Sequence, residues 1–334
     1  MPAVAATQAL FAPLKVGDIT VPNRIQIAPM TRNRSDKTVP SDLMAEYYAQ
    51  RARGGAGLIV SDWRFDHSTE FEAAPGIWNA EQVAGWKKVT DAIHTNGSFA
   101  YAQLWHLGRV SHPDAPQQKL AGVPVYAPSA ISARGGKFRF LPGQPGYVTP
   151  TVLEDPTIII EQFKQAAINA KEAGFDGVES TPTKRTDKWG GSIENRTRFA
   201  LEVLKALVSV FGNNVAIKLS PAGGYNDMGM PLEETLETFR YLLTEISKLP
   251  LAYIVLSYRS YITNPNTKLY LNADLQGDEA AKLIEEGKID GGSFGKPALT
   301  HPDFAKRLKY GKPLDNWDEG FTDYPEAEYD ASEI

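Results

Sequence analysis

The sequence predicts an α/β chain folded as a (β/α)8 TIM barrel. Three observations carry that expectation. Short β-branched and aromatic runs alternate with longer stretches of helical period, the order that parallel βαβ units require. Eight such runs can be counted. Several are apolar at every position, as strands are when helices cover one face and a barrel interior the other. A length of 334 residues suits one barrel with excursions, so 1–334 reads as a single domain.

The first strand is read at 24–30 (RIQIAPM). A helix over 42–53 follows Ser41, a good N-cap, and stops at Gly54-Gly55. The second strand is 57–62 (GLIVSD). The helix over 81–96 places Val83, Trp86, Val89 and Ile93 on one face and ends at Gly97. The third strand, 98–105 (SFAYAQLW), leads into a Gly/Pro-rich stretch at 111–150. Forty irregular residues in a compact domain usually form a lid or a binding excursion. The Asp155-Pro156 pair then reads as N-cap and first-turn proline of a helix over 156–173.

The fourth strand, 177–179 (GVE), and a helix over 193–211 come next, closed by Gly212. The fifth strand is 215–220 (VAIKLS), followed by a helix over 232–248 between Pro231 and Pro250. The sixth and seventh strands are 252–257 (AYIVLS) and 268–272 (KLYLN). Only YRSYITNPNT lies between them, whereas a parallel crossover normally takes a dozen or more residues and usually a helix. Fully extended, that segment reaches roughly 33–36 Å, so the return is possible without a helix. A helix over 278–286 and the eighth strand, 291–294 (GGSF), complete the set. Residues 315–334 read as a C-terminal tail.

Composition narrows the function classes. Hydrophobic content of 42% and charged content of 22% are ordinary globular values. A net charge of −5 gives no footprint for nucleic acid or an anionic membrane. The chain has no cysteine, which excludes disulfides, thiolate metal sites and Cys nucleophiles. Its five histidines do not form the His/Asp clusters of a metal-dependent hydrolase. His67, His94, His112 and His301 show no partner along the sequence. The N-terminus lacks a signal-peptide pattern and no run is long and apolar enough to span a bilayer. A cytoplasmic protein is expected.

Ordered motifs then carry a resemblance: PNRIQIAPMTRNRSD, GIWNAEQVAGWKKVTDAIH, YAQLWHLGRVSHPD, AGFDGVE, KRTDKWGGSIENRTRF, IKLSPAGGYNDMGMP and EEGKIDGGSFGKP. In this order, across nearly the whole chain, they resemble the Old Yellow Enzyme family of FMN-dependent ene-reductases, most closely its fungal members. The resemblance implies FMN at the carboxyl ends of the barrel strands and NADPH or NADH as reductant. It further implies a small enone or enal substrate, a monomer or homodimer, and a place in fungal secondary metabolism. Pro29, Met30 and Thr31 would meet the flavin O4/N5 side, and Gln103 its pyrimidine edge. Lys218 stands where the family usually has Arg and would stabilise the anionic reduced flavin, with a looser geometry than a planar fork. Thr31 and Lys218 are therefore the catalytic candidates. Asn272, Gly295 and Lys296 would hold the phosphate end, while Trp63, Trp105 and Tyr225 would line the substrate pocket. His106 reads as a structural hydrogen-bonding residue.

Four departures set this chain apart. GVESTPTKRTD lacks the family's His-x-x-Asn, which polarises the substrate carbonyl, and the Tyr that donates the α-carbon proton. The helix between the sixth and seventh strands is missing. PLDNWDEGFTDYP is short by an aromatic segment, and Trp63 replaces a small residue beside the flavin. The flanks GFDGVE and KRTDKWGG nevertheless match closely. Either a longer form of the chain carries the missing segments, or the chain has lost the usual substrate-activating apparatus. In the second case it is a repurposed barrel with little FMN reductase activity: an isomerase, a cyclase or a binding protein.

Overall fold

The computed structural model describes residues 2–64, 73–134, 146–180, 189, 191–221, 229–257, 267–272 and 274–314, with the side chains of 62–64 outside the description. Eight parallel strands close into a barrel. They are β1 (Ile25–Ile27), β2 (Leu58–Arg64), β3 (Phe99–Trp105), β4 (Gly177–Ser180), β5 (Val215–Leu219), β6 (Tyr253–Ser257), β7 (Lys268–Asn272) and β8 (Gly291–Phe294). They pair in chain order, and β8 returns to β1 with Gly292 opposite Ile25. All eight strands read from the sequence are present, with small shifts at their ends. The first is the most trimmed, because Pro29 cannot donate to the ladder.

Alternation along the strands sorts side chains into two sets. Ile25, Ile59, Ala100, Leu104, Ile217 and Leu256 belong to the outer core, packed under the helices. Leu58, Val60, Tyr101, Tyr253, Val255 and Tyr270 fill the barrel interior. A hairpin of Leu14–Val16 and Ile19–Val21 joins that interior cluster through Leu14, Val16 and Val21, and so closes its lower, N-terminal end. Its turn is held against the start of β5: Asp18 N donates to Asn214 Oδ1 at 2.7 Å, and Asn213 Nδ2 to Asp18 Oδ1 at 2.8 Å.

The outer ring consists of α1 (Asp42–Arg53), α2 (Ala80–Thr95), α3 (Thr157–Glu172), α4 (Ile193–Phe211), α5 (Leu232–Ile246), α6 (Gly277–Glu285) and α7 (Phe304–Tyr310). Ser41, Asn79 and Ser192 cap α1, α2 and α4 by accepting from Met44 N, Gln82 N and Asn195 N. On α2 the predicted face is buried, with Trp86, Val89 and Ile93 fully enclosed. One cap differs from expectation. Pro156 itself is the N-cap of α3, and the Asp155 carboxylate instead accepts from Thr157 N and Thr157 Oγ1 in a local turn.

The strands β6 and β7 pair in parallel from Tyr253–Lys268 to Ser257–Asn272, while the expected helix-free crossover, residues 258–266, lies outside the described residues. The excursion after β3 is less irregular than its composition suggests. It contains a short helix, Pro116–Ala121, and a parallel ladder of Tyr126–Ala127 with Thr151–Val152. Tyr126 and Leu153 help to enclose a small apolar cavity over Phe163 of α3 and Phe199 of α4.

Candidate active site

Because the barrel strands are all parallel, their carboxyl ends share one mouth. The register there sets Gln103 opposite both Asp62 of β2 and Glu179 of β4. Gln103 is buried and its Nε2 donates to Glu179 Oε1 at 2.6 Å. Glu179 is completely enclosed. Burial pushes its carboxyl above the usual range, opposed by the Lys218 charge, the Gln103 hydrogen bond and the nearby Tyr253 hydroxyl. Neither Glu179 Oε2 nor Tyr253 Oη completes a hydrogen bond. Burial also raises Tyr253 well above the ordinary phenol range.

Lys218, on β5, is half-buried. It makes no hydrogen bond or ion pair with the described residues, and its charge reaches Glu179 only through space. Pro29, Met30 and Thr31 leave the end of β1 half-buried. The β1 exit is pinned to β8 by Ala28 N donating to Phe294 O at 2.9 Å. A Cβ on Gly295 would meet only Met30 Sδ at 3.7 Å and Ala28 Cβ at 4.0 Å, which is ordinary contact. Packing by the protein therefore does not exclude a side chain at Gly295.

Asn272 ends β7 and donates from Nδ2 to Ser293 O at 2.8 Å. Ala273 lies outside the described residues, whereas Asp274 adopts φ 52° and is exposed, away from the interior. Lys296 is exposed at the start of a short helix, Lys296–Thr300. Trp105 ends β3 half-buried, its Nε1 without a partner among the described residues. The Trp63 side chain and Tyr225 lie outside the described residues, as do 181–188.

Barrel closure thus brings the ends of β1, β3, β5, β7 and β8 to one rim, as the sequence predicts. It also reveals two interior residues that sequence reading missed. Glu179 is an acid within an otherwise apolar strand, a signal visible in GVES. Gln26, on β1, is fully buried with both side-chain polar atoms unpartnered.

The reading of His94, His112 and His301 needs correction, whereas His67 lies outside the described residues. His94 does have a partner: its Nε2 lies 2.8 Å from Asp176 Oδ2 across α2 and the start of β4. His112 Nδ1 accepts from Asp114 N at 3.1 Å, and His301 Nδ1 lies 2.9 Å from Thr300 Oγ1. His106 Nδ1 accepts from Gly108 N at 2.9 Å, the structural use expected of it. Among the described residues no group of three His, Cys, Asp or Glu is arranged to hold a metal. No helix among them is long and apolar enough to cross a membrane.

A closed parallel barrel with amide, carboxylate and cation gathered at its carboxyl mouth has the architecture of a barrel enzyme. The chain belongs to the NADH:flavin oxidoreductase / NADH oxidase family, whose sequence profile matches residues 9–271. It is 33% identical to the NADP-dependent oxidoreductase lnbE of Aspergillus flavus, covering 95% of this chain and 96% of the relative. It is 32% identical to the probable inactive reductase easA of Epichloe festucae var. lolii, covering 97% and 96%. The alignment with lnbE runs over 381 residues, longer than the 334 present here, so it opens gaps in this chain. Among solved structures, the old yellow enzyme homologue from Zymomonas mobilis superposes with a TM-score of 0.83 at 30% identity, over 95% of this chain and 99% of that one. The cofactor of the family is FMN and its reductant a nicotinamide.

Proposed function

We propose that this protein binds FMN at the barrel mouth and uses NAD(P)H to reduce the C=C bond of an α,β-unsaturated carbonyl compound. The observation that carries the reading is the half-buried Lys218, without an ion pair among the described residues, on the same barrel mouth as the buried Gln103–Glu179 pair. A cation with no direct ion pair among the described residues suits an anionic ligand, and an amide held at a strand end suits the pyrimidine edge of a flavin. The chemistry supplied by bound FMN is relay of a hydride from the nicotinamide to the β-carbon of the substrate. Thr31 would hydrogen-bond the flavin near its reactive edge, with the backbone of Pro29 and Met30 beside it. Lys218 would stabilise negative charge on the reduced cofactor. Asn272, Gly295 and Lys296 would hold the phosphate end, and Trp105 would wall the substrate side, with Trp63 and Tyr225 as further pocket candidates.

A second reading keeps the flavin but not efficient reduction. Residues 181–188, TPTKRTDK, supply neither the His-x-x-Asn pair nor the Tyr that the family uses on its substrate. The relative named as a probable inactive reductase makes that outcome a real alternative. A visible spectrum of the purified protein tests the shared part. An oxidised-flavin band bleached by NADPH under argon supports FMN binding and reduction. Turnover of cyclohexenone then separates the two readings: re-oxidation of the flavin by the enone supports the first. A bleached flavin that only oxygen restores supports the second.

A further inference from the structure

We propose that Glu179 is a positioning residue for the flavin: its carboxyl group fixes which way the Gln103 amide faces, so that the carbonyl oxygen is turned to accept from an N–H of the pyrimidine edge. The inference rests on the FMN reading of the mouth. Three observations lead to it. Gln103 spends one amide hydrogen on Glu179 Oε1, which accepts at 2.6 Å. Turning the amide over would set two oxygens against each other in a buried site. The strand register sets Gln103 directly opposite Glu179, and both side chains are buried.

The second observation is cost. Glu179 is wholly enclosed and its Oε2 has no partner. Such a group is expensive to bury, and a neutral residue of similar shape would give an equally or more stable barrel. A carboxyl group placed there at that cost speaks for a task other than packing. The third is the neighbouring cation. Lys218 favours the charged form of Glu179 through space without a direct ion pair. The carboxylate therefore offsets part of the Lys218 charge that acts on the reduced flavin, and its removal leaves that cation uncompensated.

The test compares wild type with Glu179→Gln, Glu179→Asp and Glu179→Leu. FMN affinity of the apo-protein is read by fluorescence titration, flavin midpoint potential by dye equilibration, and apo-protein Tm by calorimetry. Glu179→Gln is expected to weaken FMN binding about tenfold, the loss of roughly one hydrogen bond, and to raise the midpoint potential, with apo Tm unchanged or higher. Glu179→Asp keeps the charge but shortens the reach, so the potential stays near wild type while the affinity falls. Glu179→Leu should behave as Glu179→Gln and guards against a misfolded single variant. If wild type binds FMN and the Gln and Leu variants keep its affinity and potential, the proposal is overturned. A fall in apo Tm with an unshifted potential also overturns it, since that is the signature of a packing role. A wild-type protein that takes up no FMN overturns the reading of the mouth itself, and this inference with it.

Discussion

The lower and upper halves of the barrel interior are built on opposite principles. Below, Leu58, Val60 and three tyrosines pack with the N-terminal hairpin into a closed apolar plug. The ring centroids of Tyr101 and Tyr253 are 5.4 Å apart, and those of Tyr253 and Tyr270 5.2 Å. Above, toward the strand carboxyl ends, the inward residues are Gln103, Glu179 and Lys218, two positions beyond Tyr101, Gly177 and Ala216 on their strands, and their polar groups are only partly satisfied by one another. The lower half is filled by its own side chains, its tyrosine hydroxyls excepted, whereas the upper half presents an amide, a carboxyl and a cation that the described residues only partly satisfy. Changes below should therefore act on folding, and changes above on the cofactor and its chemistry.

The largest effect expected from that division is at Gly177. A Cβ there would sit 2.3 Å from Tyr101 Cζ and 2.4 Å from Asn214 O, and the backbone oxygen has nowhere to retreat. Gly177→Ala should cost about 3 kcal/mol of stability, read as a fall in the urea midpoint, while the protein that remains folded still binds FMN. If Gly177→Ala instead spares stability and abolishes flavin binding, the division is wrong. Lys218→Met comes next and acts the other way. Loss of one charge-stabilising group should slow enone-dependent flavin re-oxidation about 10²-fold, measured by stopped flow, with little change in the urea midpoint. Lys218→Arg should recover most of that rate.

Two smaller effects sharpen the picture. The Tyr101 hydroxyl is buried without a partner, and burial holds its proton far above the usual phenol range. Tyr101→Phe should stabilise the protein by up to about 1 kcal/mol and leave flavin reduction untouched. The least effect is at the rim of the lower half. The hydrogen bond to Asp176 raises the His94 pKa above its ordinary value. Its contribution is fully present below pH about 6.5, the unfolded value, and is lost as pH rises through the higher folded value. The pair is partly exposed and screened, so the contribution stays under about 1 kcal/mol. Thermal melts between pH 5 and pH 9 (roughly the window on either side of both values) should show the loss in wild type and not in His94→Gln.

Legibility in the sequence followed the range of the interactions. Barrel strands and ring helices were readable because burial, period and caps are local, as at Ser41 or Gly212. The hairpin at Leu14–Val21 was missed because strands of three residues carry too little alternation to register. The Asp155-Pro156 cap was misassigned because a carboxylate there can serve a turn as readily as a helix start. The His94–Asp176 and Gln103–Glu179 pairs join residues 82 and 76 positions apart. No local pattern signals such a pairing; only barrel closure makes it. The rim positions proposed for the site came from motifs, while the carboxyl group beneath them became visible only once β3 and β4 were side by side.

The hairpin that stoppers the barrel has a consequence for biosynthesis. It precedes every barrel strand in the sequence, yet the Asp18–Asn214 contact that seats it spans 196 positions. The nascent chain must therefore carry an unseated apolar ribbon, Leu14, Val16 and Val21, through most of translation. Chaperone engagement, if it occurs, belongs to that interval, and ribosome-arrested chains ending before and after β5 would differ in how readily a protease cuts at Gly17.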